Sequence, residues 1–279
     1  MTIVPPSAVA GPPLDPVPQH RLRALARAGA PIALGAVLVF GAWKLIVVAG
    51  NYPVFILPPP ETIFARLVQA WADGLIEPHV ATTLSEILLG FLVGAVVGIL
   101  CGFVLARSAG AARVLSPYIV AAQATPLLAL APLIALWFGS GLTSKVVICA
   151  LTSFFPIAVS TMIGFRGVDA GLLEMGRSFR GSSRQILRVI ELPAALPSIL
   201  AGLRIGITLA VIGAIVGEWA GGESGLGVLI NLARGSLFDT PLLFATLFTI
   251  GGLGVALYLI VVLVERRLLG DRGTSRENS

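Results

Sequence analysis

The charged residues of this chain are concentrated rather than spread. Arg166, Glu174, Arg177, Arg180, Arg184 and Arg188 fall within one segment, residues 164–197, with long apolar runs on both sides. Arg177, Arg180, Arg184 and Arg188 recur at helix-like spacing and give the segment a basic face. The only histidines, His20 and His79, join no convergent His/Asp/Ser set, and no H-E-x-x-H occurs. There is no G-x-x-x-x-G-K-[ST], so the chain lacks the backbone cradle and lysine that hold nucleotide phosphates. Cys101 and Cys149 lie in apolar runs without metal-ligand spacing and read as small hydrophobes. No catalytic residue, metal or cofactor is therefore expected on this chain.

The elements that position this segment must be membrane helices. Hydrophobic residues make up 56% of the chain and charged residues 12%, with a mean hydropathy of +0.95. A soluble domain carries about a quarter charged residues, so lipid must be the main solvent. The net charge of +5 does not point to nucleic acid, because the basic residues flank apolar runs instead of forming a patch interleaved with aromatics. Pro5, Pro6, Pro12, Pro13, Pro16 and Pro18 crowd the start, with no basic residue before His20. A cleavable signal peptide needs a basic start and then an apolar stretch. Residues 1–28 thus read as a disordered cytoplasmic tail, 29–268 as a membrane domain, and 269–279 as a second cytoplasmic tail.

About six apolar stretches approach the ~20 residues needed to cross a bilayer. They are expected at 31–49, 87–105, 115–138, 146–165, 199–216 and 242–264, as helices, because backbone groups in lipid must bond within their own segment. With the N-terminus inside, Arg21, Arg23, Arg27, Arg107, Arg113, the arginines of 164–197, Arg204, Arg266, Arg267, Arg272 and Arg276 share the cytoplasmic side. Arg66, Lys145 and Arg234 are left opposite, and Lys44 lies inside the first span. The asymmetry follows the positive-inside rule and places both termini in the cytoplasm. In the long outer loop, Ile63, Leu67, Ala70, Trp71 and Leu75 recur at helical spacing, as in an amphipathic interfacial helix.

Within the spans, Gly90, Gly94, Gly98 and Gly102 form an unbroken G-x-x-x-G series that predicts close packing against another helix, in this chain or in a second copy. Pro126 and Pro132 interrupt the third span and Pro156 the fourth, with Gln123, Thr125, Thr152 and Ser153 beside them. These polar groups either line a pathway or satisfy the carbonyls that the prolines free. Glu218, beside Trp219 at the outer end of the fifth span, is either a gating group or an interfacial structural residue. Lys44 and Arg204 are close enough to the interfaces to snorkel.

Segment 164–197 reads as a helical hairpin. Leu172, Met175 and Phe179 share one face of a first helix, which is expected to end near Gly181, a residue tolerant of positive φ. Ser182 and Gln185 make a capping box for a second helix with Ile186, Val189 and Ile190 on its apolar side, expected to stop at Pro193.

Here the sequence resembles a known family. Glu174 followed by Ile190-x-Leu192-Pro193 is similar to the EAA signature, EAAxxxG, nine residues, then IxLP, of binding-protein-dependent ABC importer permeases. Pro193 to Pro197, Gly202-Leu203-Arg204, Leu57-Pro58 with Pro60, Leu136 to Gly139 and Gly225-Leu226-Gly227 resemble its nitrate/sulfonate/taurine branch. Met175 and Gly176 replace the two alanines, and Arg180 stands at the family glycine, with Gly181 one place later.

The resemblance implies an all-α membrane protein of type I importer permease (MetI-like) architecture in the inner membrane. It implies that residues 166–197 are the coupling hairpin, with Glu174, Met175, Gly176, Arg177, Arg180 and Gly181 contacting a separate ATPase. Ile190, Leu192 and Pro193 would anchor the hairpin to the spans. The implied partners are a second permease chain as a homodimer, two ABC ATPase subunits carrying ATP and Mg, an extracytoplasmic binding protein, and lipid. The implied cargo is a small solute of the nitrate, sulfonate, taurine or vitamin-precursor class. The rival reading is an ion-coupled secondary transporter, which would show intramembrane carboxylates and broken helices in two related halves.

Overall fold

A computed structural model describes residues 19–270. The tails expected over 1–28 and 269–279 lie outside the described residues except for 19–28, already helical, and the last two positions before 271. The described residues form helices and turns: α1 Gln19–Ala49, α2 Pro60–Ala72, α3 Glu77–Arg107, α4 Ala109–Ala124, α5 Leu127–Phe138, α6 Leu142–Arg166, α7 Ala170–Ser178, α8 Ser183–Ile186, a π-helical turn Leu187–Glu191, α9 Leu192–Trp219, α10 Leu226–Gly235 and α11 Thr240–Leu269.

By length and composition, α3, α6, the continuous run Ser183–Trp219 and α11 can each cross a membrane, and α1 adds the apolar stretch Leu34–Ala49. The span expected at 115–138 is not one helix. It breaks between α4 and α5 at Thr125-Pro126, where Pro126 takes an extended ψ of 108°. Proline removes a backbone donor and disfavours α geometry in the residue before it, so the break falls there. Pro132 and Pro156 sit inside α5 and α6 without ending them.

Glycine faces bring three helices into backbone contact. A Cβ on Gly94 of α3 would lie 2.1 Å from Ser153 Oγ, and one on Gly102 would lie 2.4 Å from Ala158 O. Gly90 and Gly98 abut Cys149 and Ile157 in the same way, so the whole α3 series packs against α6 of the same chain. From the other side, Gly202, Gly206, Gly213 and Gly217 of α9 meet Ser160, Ile157, Thr152 and Lys145 of α6. Because lipid gives helices no hydrophobic reason to associate, such close approach is what holds them together. Helix α6 is thus clamped between two glycine faces, and Ile87, Cys149, Ile207, Ala210 and Leu257 fill the adjoining core.

The amphipathic helix expected after residue 60 is α2, with Ile63 and Ala70 buried and Trp71 half-exposed. Lys44 of α1 pairs with Glu61 in its first turn at 3.1 Å. Backbone N–H groups there, and the Lys44 ammonium, hold the Glu61 carboxyl below its usual range.

Candidate functional site: the hairpin and the acid cluster at the opposite end

At one end of the bundle, α7, α8 and the π turn project as a hairpin. Asp169 caps α7 by accepting from the Leu172 N–H at 3.0 Å. Helix α7 closes in a Schellman turn, in which Gly181 N–H donates to Gly176 O at 3.1 Å and Arg180 N–H donates to Arg177 O at 2.8 Å. The left-handed residue of that turn is Arg180, at φ +55°, and not Gly181. The turn therefore falls at the family's glycine position and is not one residue late. The capping box at Ser182 and Gln185 is complete. Gly176 gives α7 its close contact with the second arm: a Cβ there would lie 2.8 Å from Ile190 Cδ1.

Pro193 does not stop the second helix. The chain passes through the π turn, where Leu192 N–H donates to Leu187 O, and continues as α9 to Trp219. A wide turn displaces the carbonyl that a proline ring would strike in a regular helix, so helix and proline coexist. Helices α7 and α8 contain no buried residue. Leu172, Met175, Phe179 and Val189 stand exposed, Phe179 to 81%. Glu174, Arg177 and Arg180 are also exposed, and Glu174 enters no ion pair among the described residues.

At the opposite end is a second polar centre. Glu218, 1% exposed, accepts from Thr83 Oγ1 at 2.5 Å and from the Gly227 N–H in the first turn of α10. Thr83 Oγ1 in turn accepts from Leu226 N–H at 2.8 Å. Gly225, at φ +127°, folds so tightly over Glu218 that a Cβ there would lie 2.2 Å from the carboxyl carbon. The Gly225-Leu226-Gly227 stretch is therefore a cradle for one carboxylate, which caps α10. Glu86, 2% exposed, lies beside Glu218, and its Oε2 has no hydrogen-bond partner among the described residues. Lys145, expected in an outer loop, is 3% exposed in α6, and its ammonium donates to Gly221 O at 3.3 Å and to Ser140 O.

The other sequence-predicted positions are dispersed. Thr152 Oγ1 donates to Cys149 O at 2.8 Å and faces Gly213, while Ser153 donates to Cys149 O and faces Gly94. Both bond to their own helix at interfaces of α6. Thr125, exposed at the α4–α5 break, donates to Ala121 O at 3.1 Å. The side chain of Gln123 lies outside those described. Arg204 pairs with Glu265 of α11 at 3.1 Å instead of snorkelling freely. Among the described residues, no group of His, Cys, Asp and Glu is arranged to hold a metal ion. Sequence reasoning missed the burial of Glu86 and Lys145, the role of Thr83 and helix α10; the glycines after Glu218 were the one available signal.

Residues 94–270 match the family described as binding-protein-dependent transport system inner membrane component. The riboflavin transport system permease protein RibX of Chloroflexus aurantiacus is 42% identical over 241 residues, covering 86% of this chain and 89% of that protein. The formylaminopyrimidine transport permease protein ThiX of Halalkalibacterium halodurans is 36% identical, over 77% of this chain and 85% of that protein. The taurine transport system permease protein TauC of Escherichia coli is 31% identical, over 84% and 86%. Among solved structures, an inward-facing MetNI methionine ABC transporter chain shares the fold, with a TM-score of 0.61 at 21% identity, over 70% of this chain and 97% of that one.

Proposed function

The chain belongs to the binding-protein-dependent transport system inner membrane components, the permeases of ABC importers, and from that premise we propose that its hairpin docks on a separate ATPase. The observation that carries the reading is the combination of order and exposure in α7 and α8. Their turn and caps are fully bonded, yet they bury nothing and present Leu172, Met175 and Phe179 beside Glu174, Arg177 and Arg180. An apolar patch rimmed by charge on a braced loop fits a protein partner. ATP and Mg are held by two such ATPases, whose closure moves the hairpins of a homodimeric permease. The permease then changes access as a two-state element biased by its ligand.

The hairpin and both termini face the cytoplasm, and a binding protein delivers solute from the other side. The cargo is a small solute of the nitrate, sulfonate, taurine or vitamin-precursor class. The higher identity to the riboflavin permease than to the taurine permease favours the vitamin side. The buried carboxylates do not revive an ion-coupled reading, since Glu218 is committed to capping α10.

The test is co-purification of the detergent-solubilised chain with candidate ATPases from its source, followed by uptake assays. Stable ATPase association, lost on Glu174→Arg, together with uptake that stops on ATP depletion, is the expected result. Uptake that survives ATP depletion and tracks an ion gradient would overturn the reading.

A further inference from the structure

The I-x-L-P pattern leaves its second position open, and in this chain that position is Glu191. It is the one residue of the hairpin and π turn that is buried, at 8% exposed. Its carboxylate is gripped by both terminal nitrogens of Arg107: Nη1 donates to Oε1 at 3.0 Å and Nη2 donates to Oε2. Arg107 is the last residue of α3. Its guanidinium also lies 5.0 Å from the centre of the Phe103 ring, which packs edge-on against Phe165 of α6. Arg166 completes the corner by donating to Leu105 O at 2.8 Å. Among the described residues, Arg107–Glu191 is the only ion pair that joins the hairpin to a span.

A two-pronged contact of this kind fixes orientation as well as distance. The π turn adds to its meaning, because one extra residue per turn rotates the downstream chain by about 100° relative to a regular helix. Glu191 is the last residue of that turn, so its aim at α3 depends on the turn being kept. A push on α7 passes through Gly176 to Ile190 and Ile186. From there the chain continues into α9, and the ion pair branches off to α3.

We infer that Glu191, acting through Arg107, is a positioning residue that locks the hairpin to α3, so that hairpin movement reaches two spans at once. The inference rests on the hairpin being the ATPase-docking element, and it adds a specific transmission contact to that reading. Glu191→Gln is the informative variant, because it leaves Arg107, half-exposed, free to reach water. Arg107→Gln instead strands a carboxylate that is nine-tenths buried.

The experiment uses the full chain assembled with its ATPase in nanodiscs, on a Cys101→Ala, Cys149→Ala background. Spin labels are placed at the exposed positions Phe179 and Val97 by substitution to Cys, and the distance between them is read with and without ATP and vanadate. In the parent chain the distribution is expected to be narrow and to stay put on trapping, since hairpin and α3 move together. With Glu191→Gln it is expected to broaden without nucleotide and to shift on trapping. The exchange Arg107→Glu with Glu191→Arg is expected to narrow it again, which a merely stabilising role would not predict.

A Glu191→Gln distribution matching the parent in both states, with vanadate still trapping nucleotide, would overturn the inference. Failure of the parent chain to assemble with any ATPase would instead sink the docking reading alone. The nucleotide-free comparison needs no ATPase and reads the lock by itself.

Discussion

Gly181 and Gly176 are joined by a 3.1 Å hydrogen bond that closes α7, and the residue forced into left-handed geometry between them is Arg180, at φ +55°. A side chain in that conformation costs about 1–2 kcal/mol that glycine would not. Glycine gives back some of this through its freer unfolded chain, about 0.5–1 kcal/mol. Arg180→Gly is therefore expected to stabilise the hairpin by up to about 1 kcal/mol. Slower hydrogen exchange of the amides at 176–182 would show it; faster exchange would mean that Arg180 makes a compensating contact. Gly181→Ala should act oppositely, because its Cβ would sit 2.8 Å from Gly176 O.

The glycine faces predict a sharp contrast between positions of the same residue type. Gly94→Val puts atoms where Ser153 Oγ and Ala150 O already lie, at 2.1 and 2.7 Å from the Cβ site. Overpacking typically costs about 1–3 kcal/mol, and a backbone obstacle puts this one at the upper end. Gly41→Ala in α1 meets nothing within 4 Å. It should be neutral, or raise stability by up to about 1 kcal/mol through helix propensity. Thermal unfolding in one detergent compares the two directly, and equal shifts would contradict the packing.

The acid cluster separates two buried glutamates. Glu218→Ala removes the acceptor for Thr83 and Gly227, leaving buried donors unmatched at about 1–3 kcal/mol each. Glu86→Gln keeps a polar side chain of nearly the same shape beside Glu218, and its Oε2 had no partner to lose. It should cost less than about 1 kcal/mol or stabilise. Thr83→Val should resemble Glu218→Ala, because Leu226 N–H loses its acceptor. If Glu86→Gln proved the most damaging of the three, Glu218 would not be the hub.

How much of the fold and the site was legible depends on the range of each signal. The apolar runs other than 115–138, the amphipathic α2, the capping box at Ser182 and the α3 glycine series are local patterns, and each corresponds to an element. The α9 glycines escaped because Gly206 and Gly213 are separated by more than the simple repeat, although all four meet α6. The depth of Lys145 and Glu86 escaped for a different reason. Their burial depends on residues far along the chain, as when Thr83 meets Glu218 across 135 positions. Nothing in a short window encodes that. Pro193 misled because the helix-breaking rule assumes a regular i→i+4 ladder, and a π turn removes the assumption.

The π turn gives the last prediction. Pro193 offers no N–H, so Val189 O has no donor four residues on, and the wide turn is the arrangement that tolerates the ring. Pro193→Ala restores the donor and lets the segment relax into a regular helix. The local helix should gain stability, by an amount on the order of 1 kcal/mol. Removing the extra residue from the turn, however, rotates α8 against α9 by about 100°. That rotation carries Ile186 and Ile190 away from Gly176, and Glu191 away from Arg107. The variant should therefore unfold at the same or a higher temperature yet lose its ATPase in co-purification. A variant that keeps the ATPase, with unchanged hydrogen exchange across 186–192, would show that the π turn persists without the proline and that its cause lies in the Arg107–Glu191 pair instead.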